Sequence, residues 1–212
     1  YWRVVESQPT PATIKARRQA SHMLQSRPNK AVGSVNLAPR GLVILVNFNN
    51  SKFANANNQA AMNELMNSDN YTYNGATGSV RKFFSDQSDG QYTPDFDVIG
   101  PVTLTETVAH YGGNDAGGGD LLPGDMVVEA CSIANANVDS TKYDNDGDGY
   151  VDFVYIVYAG KGEADGGADE TIWPHNWDLE SAYYYNNCTY KKNKRRFDGK
   201  YINNYACSGE LN

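Results

Sequence analysis

The sequence predicts an α/β (α+β) domain, a mixed β-sheet with helices packed on it. Two apolar runs, Gly41–Phe48 and Val151–Ala159, are too short for buried helices and therefore predict central strands. Segments with helical periodicity lie between these runs, and this alternation is typical of layered α/β architectures. With 212 residues, 40% of them hydrophobic, the chain is long enough to form a sizeable core.

Three helices are predicted from apolar spacing and capping. Gln59–Asn67 places its leucine and methionine side chains on one face, and Ser79 is the expected N-cap of a helix that begins at Val80. In that second helix we expect Phe83 and Phe84 to face the core. The third helix, Pro123–Ala134, has an inner face made of Met126, Val127, Ala130, Cys131 and Ala134.

Shorter strands are predicted between these elements. Gln91–Val98 alternates apolar and polar residues but contains Pro94, which predicts a strand near a sheet edge. Gly100-Pro101 predicts a turn before a short strand at Val102–Thr105. Tyr201–Ala206 is predicted to be the last strand.

Charge is distributed unevenly along the chain. Residues 1–40 carry seven basic side chains and one acidic one, a net charge of +6, whereas the whole chain carries −7. We therefore expect a basic linker arm at residues 1–39, with a short helix at Thr13–Gln25, and a folded acidic body at residues 40–212. The acidity of the body argues against nucleic acid as its partner.

The cysteines and the hydropathy pattern limit the possible classes of protein. Cys131, Cys188 and Cys207 have no CxxC spacing and offer no zinc site of their own. Cys188 and Cys207 are candidates for a disulfide, which leaves Cys131 as a small buried residue. No apolar run reaches the ~18 residues of a membrane-spanning helix, so no span is predicted.

The strongest local signal is the acidic stretch at the start of Tyr143–Gly160. Its carboxylates recur in the pattern of positions one, three, five and nine of a calcium-binding loop. Tyr155 occupies the twelfth position in place of the usual glutamate, and a strand rather than a helix follows. Packed carboxylates repel one another unless a cation lies between them, so we expect a structural calcium site outside the EF-hand fold. The predicted ligands are Asp144, Asp146, Asp148 and Asp152.

The residues alone do not form a recognisable catalytic centre. The three histidines, His22, His110 and His175, lie outside any HExxH pattern. No serine occupies a nucleophile elbow, and no glycine-rich phosphate loop is present. The sequence therefore assigns no residue to catalysis, to an organic cofactor or to zinc.

Five blocks of sequence, taken in order, resemble a known family. They are Leu42–Phe48, Gly78–Phe84 continuing to Ser88–Tyr92, Phe96–Val102 followed by Tyr111-Gly112, Tyr143–Gly160 with Glu163, and Ile172–His175. In order and spacing these blocks resemble the immune inhibitor A family of secreted zinc metalloproteases. The resemblance runs from about residue 40 to the end of the chain, and the combination is far more specific than any single block.

The resemblance implies a zincin-like fold, of which this chain would be the N-terminal lobe, a twisted mixed β-sheet with backing helices. In this family an HExxH helix binds zinc through its histidines and uses its glutamate as a general base. That helix follows the region matching Tyr201–Leu211, so we expect the reading frame to continue into it beyond Asn212. The resemblance also implies a secreted bacterial enzyme with protein or peptide substrates, and it makes residues 1–39 the remnant of a pro-segment.

A second hypothesis is a non-enzymatic, calcium-dependent binding or adhesion module derived from the same fold. The last block continues the family pattern up to the final residues, which favours the peptidase lobe over a degenerate module. We therefore expect that these 212 residues alone cleave nothing and hold no zinc. Their principal partner would then be the C-terminal catalytic half of the enzyme.

Overall fold

A computed structural model of the chain describes residues 38–54 and 57–211. Apart from Ala38 and Pro39, the predicted arm with its helix lies outside the described residues. The strands are β1 (Arg40–Asn47), β2 (Asp95–Thr103), β3 (Val154–Lys161), β4 (His175–Asp178), β5 (Arg196–Phe197), β6 (Lys200–Tyr201) and β7 (Asn204–Leu211). The α-helices are α1 (Gln59–Asn67), α2 (Val80–Gln87), α3 (Val108–Gly112), α4 (Pro123–Ala134) and α5 (Leu179–Tyr184).

Five of these strands form one mixed sheet in the order β2-β1-β3-β7-β4. The pairs β1–β2, β1–β3 and β3–β7 are parallel, whereas β4 runs antiparallel to β7 at one edge. Strands β5 and β6 form a separate two-stranded hairpin. The mixed sheet with helices confirms the α/β (α+β) prediction, and β2 occupies the edge position that Pro94 indicated.

Both faces of β1 are buried, which explains its uninterrupted apolar sequence. Leu42, Ile44 and Val46 pack into the larger core cluster, which contains the apolar residues of α4. Val43 and Leu45 point to the opposite face, where a smaller cluster contains the methionines of α1. Each fully buried aliphatic side chain of this kind stabilises the fold by about 2 kcal/mol. The sheet therefore lies between two layers of helix.

Helix α4 covers the larger core as the sequence predicts. All five residues of its predicted inner face are buried. Its second residue, Gly124, lies so close to the loop after α5 that a Cβ there would be 2.6 Å from the Cβ of Cys188. Any larger residue at this position would push the two segments apart.

Two sequence expectations near α2 and β2 are wrong. The N-cap is correct, since Ser79 Oγ accepts a hydrogen bond from Lys82 N at 3.1 Å. Phe83 and Phe84, however, are 60% and 38% exposed. Among the described residues, the contact of this helix with the core is through its first residue, Val80. The predicted turn at Gly100-Pro101 is also absent, because β2 continues through it with a register shift opposite Ile44–Val46 of β1.

Cys188 and Cys207, the candidates for a disulfide, are not bonded to each other, and all three cysteines are buried thiols. The two side chains lie in different surroundings. Cys188 packs beside Gly124 of α4, whereas Cys207 lies in β7 with its Sγ 3.4 Å from Nδ1 of His175. Within the described ranges, the helices are too short and too polar for any of them to cross a membrane.

Candidate metal site

The acidic loop is held between a short 3₁₀ turn and the start of β3. The turn spans Ser140–Tyr143 and is capped by Asp139, whose side chain accepts a hydrogen bond from Thr141 N. The loop is closed by a hydrogen bond from Asp152 N to Tyr143 O at 3.0 Å. Two glycines within it adopt left-handed φ values of 74° and 90°, a conformation that side-chain-bearing residues adopt only with strain. This local chemistry folds the loop back on itself.

Three of the four predicted ligands converge in this loop. Each of Asp144, Asp146 and Asp148 can offer one oxygen so that all three atoms lie within 4.8 Å of one another. The side chains of Asp146 and Asp148 are exposed and accept hydrogen bonds from the amides of Asp148 and Tyr150, at 3.1 and 2.9 Å. These short-range bonds orient the carboxylates and by themselves require no ion.

Asp144 has the most buried side chain of the three. Its side chain is 1% exposed, and its Oδ2 accepts hydrogen bonds from Lys200 Nζ at 2.6 Å and Gly149 N at 3.0 Å. Its Oδ1 is buried and accepts no hydrogen bond from the residues that the structure describes. Burial alone would raise the pKa of Asp144, but the bonds from Lys200 and Gly149 outweigh it and hold the pKa below its usual value. A buried, ionised oxygen without a donor is costly unless a cation lies beside it.

Asp152, the fourth predicted ligand, has a different place. Its Oδ2 accepts two hydrogen bonds from Asn145, one from the backbone N at 2.9 Å and one from Nδ2 at 2.8 Å. It does not belong to the converging group of three. In calcium loops the residue at the ninth position often acts through a water molecule, so this placement is compatible with an outer role.

The acidic loop lies at the amino ends of the parallel strands, since β3 begins at Val154 shortly after it. Arg40, the first residue of β1, contacts the same loop through hydrogen bonds with Asn145. In open α/β sheets, substrates and cofactors bind outside the carboxyl ends of the strands. The loop is therefore on the wrong side of the sheet for an active centre, which favours a structural role.

Beside strand β4, on the side of the sheet toward the carboxyl ends of the parallel strands, lies a polar cluster that the sequence did not reveal. His175, the first residue of β4, has Nδ1 2.7 Å from Trp173 O and Nε2 2.9 Å from the hydroxyl of Tyr205. Asp120 approaches the same imidazole at 3.9 Å and accepts hydrogen bonds from Trp173 N. Asp120 and Tyr205 are 55 and 30 residues away from His175 in sequence, so no local motif could have indicated this cluster.

The electrostatics of this cluster favour neutral groups. Burial raises the pKa of Asp120 to about 7 and that of the Cys207 thiol to about 12. Burial also lowers the pKa of His175. A thiol held in its protonated form is a poor nucleophile, so the proximity of Cys207 to His175 does not amount to a catalytic pair.

Zinc does not fit the residues that the structure describes. Both ring nitrogens of His175 have hydrogen-bond partners, and His110 is a single histidine in the short helix α3. Within 38–54 and 57–211, the group of three or more metal-type side chains that converges is the all-oxygen set of the acidic loop. Oxygen ligands of this kind suit calcium or magnesium rather than zinc.

Sequence comparison decides the family. A sequence model described as the immune inhibitor A peptidase M6 catalytic domain matches residues 32–210. The chain belongs to this family. The M6 family consists of metallopeptidases, and the match confirms the resemblance seen in the five sequence blocks.

A curated relative supports the same assignment. Immune inhibitor A from Bacillus thuringiensis subsp. alesti is 30% identical to this chain over 122 residues. The aligned region is 48% of this chain and 18% of the relative. The chain therefore matches only a small part of the relative's length.

Proposed function

We propose that this chain is the N-terminal lobe of the catalytic domain of a secreted, zinc-dependent metalloendopeptidase. The observation that carries the proposal is the match of residues 32–210 to the M6 catalytic domain. The mixed sheet with helices on both faces is compatible with a zincin-like lobe. Within this proposal, residues 1–39 are the remnant of a pro-segment, and 40–212 are the lobe itself.

The zinc ligands of such an enzyme would lie outside this chain. The described residues offer no pair of neighbouring histidines, and the relative extends far beyond the aligned region. When bound, zinc would supply an activated water for hydrolysis of a peptide bond. No residue of this chain is assigned to that step.

What this lobe can contribute to a peptidase is a surface for an extended peptide. Strand β4 lies at the edge of the sheet, and within the described part of the chain its outer side pairs with no further strand. An exposed strand edge can form main-chain hydrogen bonds with a peptide that is added as a further strand. Trp173 and Tyr184, next to β4 and in α5, are 53% and 59% exposed and could contact peptide side chains.

The second part of the proposal is that the acidic loop binds calcium as a structural ion. It is supported by the three converging carboxylates and by the buried Oδ1 of Asp144. Two like charges a few ångströms apart repel by about 1 kcal/mol in water and by several times more where water is excluded. A divalent cation removes that repulsion and holds the loop at the start of β3. Without a bidentate glutamate, the affinity should be that of an extracellular structural site.

The peptidase proposal is tested on the protein encoded by the complete reading frame. We expect it to hydrolyse casein, to lose this activity with 1,10-phenanthroline, and to regain it with added zinc. The 212-residue chain alone should cleave nothing and retain no zinc in elemental analysis. Tightly bound stoichiometric zinc on the short chain, or a complete protein without zinc-dependent hydrolysis, would overturn the proposal. Calcium-dependent ligand binding without hydrolysis would favour the adhesion module instead.

The calcium proposal is tested by thermal unfolding of the 212-residue chain with calcium chloride or EGTA. Calcium at one hundred times its Kd should stabilise the fold by about 2.7 kcal/mol. Asp146→Ala should abolish this calcium dependence, and Asp86→Ala, in the exposed pair with Lys82 on α2, is the matched control. Equal unfolding temperatures in calcium and EGTA would contradict a structural calcium site.

A further inference from the structure

We propose that calcium binding at the acidic loop fixes the amino end of β1 through the side chain of Asn145. The ion would then control how firmly the backbone of Arg40, the first residue of β1, is held. This inference rests on the calcium site proposed above. It adds a coupling between the ion and a backbone segment 105 residues away in sequence.

Asn145 takes the place of a neighbouring strand at Arg40. Its Oδ1 accepts a hydrogen bond from Arg40 N at 2.9 Å, and its Nδ2 donates to Arg40 O at 3.1 Å. On this side of β1, pairing with β3 begins only at Leu42, opposite Val154. The amide therefore provides the two main-chain hydrogen bonds that a longer β3 would otherwise make.

The position of Asn145 depends on the loop that would bind the ion. It lies between two of the converging aspartates in sequence, Asp144 and Asp146. Its backbone N and its Nδ2 are both held by Asp152 Oδ2. Without a cation, repulsion among the three carboxylates favours an open loop, and opening the loop moves Asn145 away from Arg40. Calcium reverses this change by binding the closed form more tightly.

A second set of contacts holds Arg40 independently of the ion. Its guanidinium donates to both oxygens of Asp97 on β2, at 2.6 and 2.8 Å, and Tyr143 OH donates to Asp97 Oδ2 at 2.9 Å. None of these bonds involves the three converging aspartates. Removing calcium should therefore release the backbone of Arg40 without detaching its side chain or unfolding β1.

This separation gives a specific signature in amide hydrogen exchange, measured by NMR on the 212-residue chain. With calcium chloride, the Arg40 amide should be protected, and EGTA should accelerate its exchange by about tenfold or more. The amide of Val43, in the buried middle of β1, should change by less than about twofold. Terbium luminescence, measured in parallel, reports whether the loop binds an ion at all.

Asn145→Ala tests the two hydrogen bonds between the side chain of Asn145 and the backbone of Arg40. In calcium, this variant should still bind terbium, while its Arg40 amide should exchange as fast as that of the wild type in EGTA. Asn63→Ala, an exposed position on α1, is the matched control and should leave Arg40 protected. Bound ion without any effect on Arg40 exchange would overturn this inference and leave the calcium site intact. Absence of terbium and calcium binding would overturn both.

Discussion

Each end of the sheet has a buried aspartate, and the surroundings shift the pKa of the two aspartates in opposite directions. At the amino end, Asp144 accepts a hydrogen bond from Lys200, and its pKa is held below the usual value. At the carboxyl end, Asp120 accepts a hydrogen bond from Trp173 N, no Lys or Arg of the described residues pairs with it, and burial raises its pKa to about 7. The surroundings thus favour the ionised form of an aspartate at the amino end and the protonated form at the carboxyl end. The presence of a cationic partner decides which of the two states is stable.

This contrast extends to the groups around each aspartate. The amino end concentrates charged side chains within one loop, which favours an ion-binding role. At the carboxyl end, carboxylates accept hydrogen bonds from neutral amides. Glu210, for example, accepts from the backbone N of Ala54 and Gly160 and from Nδ2 of Asn57. Within the function proposed above, the amino end would serve stability and the carboxyl end would remain for contact with the catalytic half.

The largest expected effect is that of Asp144→Ala at the amino end. The change removes a predicted calcium ligand and leaves Lys200, which is only 27% exposed, without its carboxylate. We expect a loss of about 3 kcal/mol in the free energy of unfolding, measured in urea with calcium present. Asp86→Ala should cost less than about 0.5 kcal/mol, because its ion pair is exposed. If both variants lost the same free energy of unfolding, Asp144 would contribute no more to stability than an exposed aspartate.

At the carboxyl end, Asp120→Asn should stabilise the chain at high pH. Because the folded pKa is raised to about 7, folding favours the protonated form, and wild-type stability falls as pH rises from about 4 to 7. Asparagine still accepts from Trp173 N but cannot ionise. Relaxation of the protein around a buried charge reduces the penalty, so the variant's advantage at about pH 8 should be near 2 kcal/mol, and smaller at about pH 5. Urea unfolding at both pH values checks the sign, which would be reversed if Asp120 were stabilised as an anion.

Glu210→Gln should have a smaller and more local effect. Its carboxylate accepts three N–H donors at 2.8 to 3.2 Å, and a glutamine would place its own NH₂ against one of them. We expect a loss of about 1 kcal/mol. Hydrogen exchange should rise in the segment 49–54, which Glu210 ties to the sheet. Glu64→Gln on the exposed face of α1 is the control, and similar exchange in both variants would argue against this anchoring role.

Phe83→Ser should have the smallest effect, because the side chain is 60% exposed. Its only described ring contact is with Phe84, at 5.6 Å between centroids. We expect a change of less than about 0.5 kcal/mol in urea unfolding. A loss of 2 kcal/mol or more, on the order of a buried side chain, would show that α2 contributes a core layer after all.

The buried centre of the fold could be predicted from the sequence because its signals are local. The apolar runs gave the positions of β1 and β3 within three residues, and the spacing of apolar residues in Pro123–Ala134 gave the buried face of α4. Ser79 identified the start of α2 in the same way. Phe83 was misplaced because spacing shows which face a residue occupies, whereas the position of a neighbouring core is a tertiary property.

The candidate site was predictable only in part for the same reason. Asp144, Asp146 and Asp148 lie within five residues, so their convergence follows from local turn geometry. The Lys200 contact with Asp144 joins residues 56 apart, and the Asn145 contact with Arg40 joins residues 105 apart. Strand β4 was missed because four residues carry too little periodicity to indicate a strand.

The two-sided burial of β1 has a consequence for how the sequence can vary. Since Leu42, Val43, Ile44, Leu45 and Val46 are all aliphatic, a shift by one residue would still bury an aliphatic side chain on each face. The apolar pattern therefore does not fix the alignment of the strand. The polar contacts of Arg40 with Asp97 and Asn145 fix the alignment of β1 with its neighbours instead. A library restricted to Val, Ile and Leu at 42–46 should contain many folded members, whereas randomising Arg40, Asp97 and Asn145 should leave few.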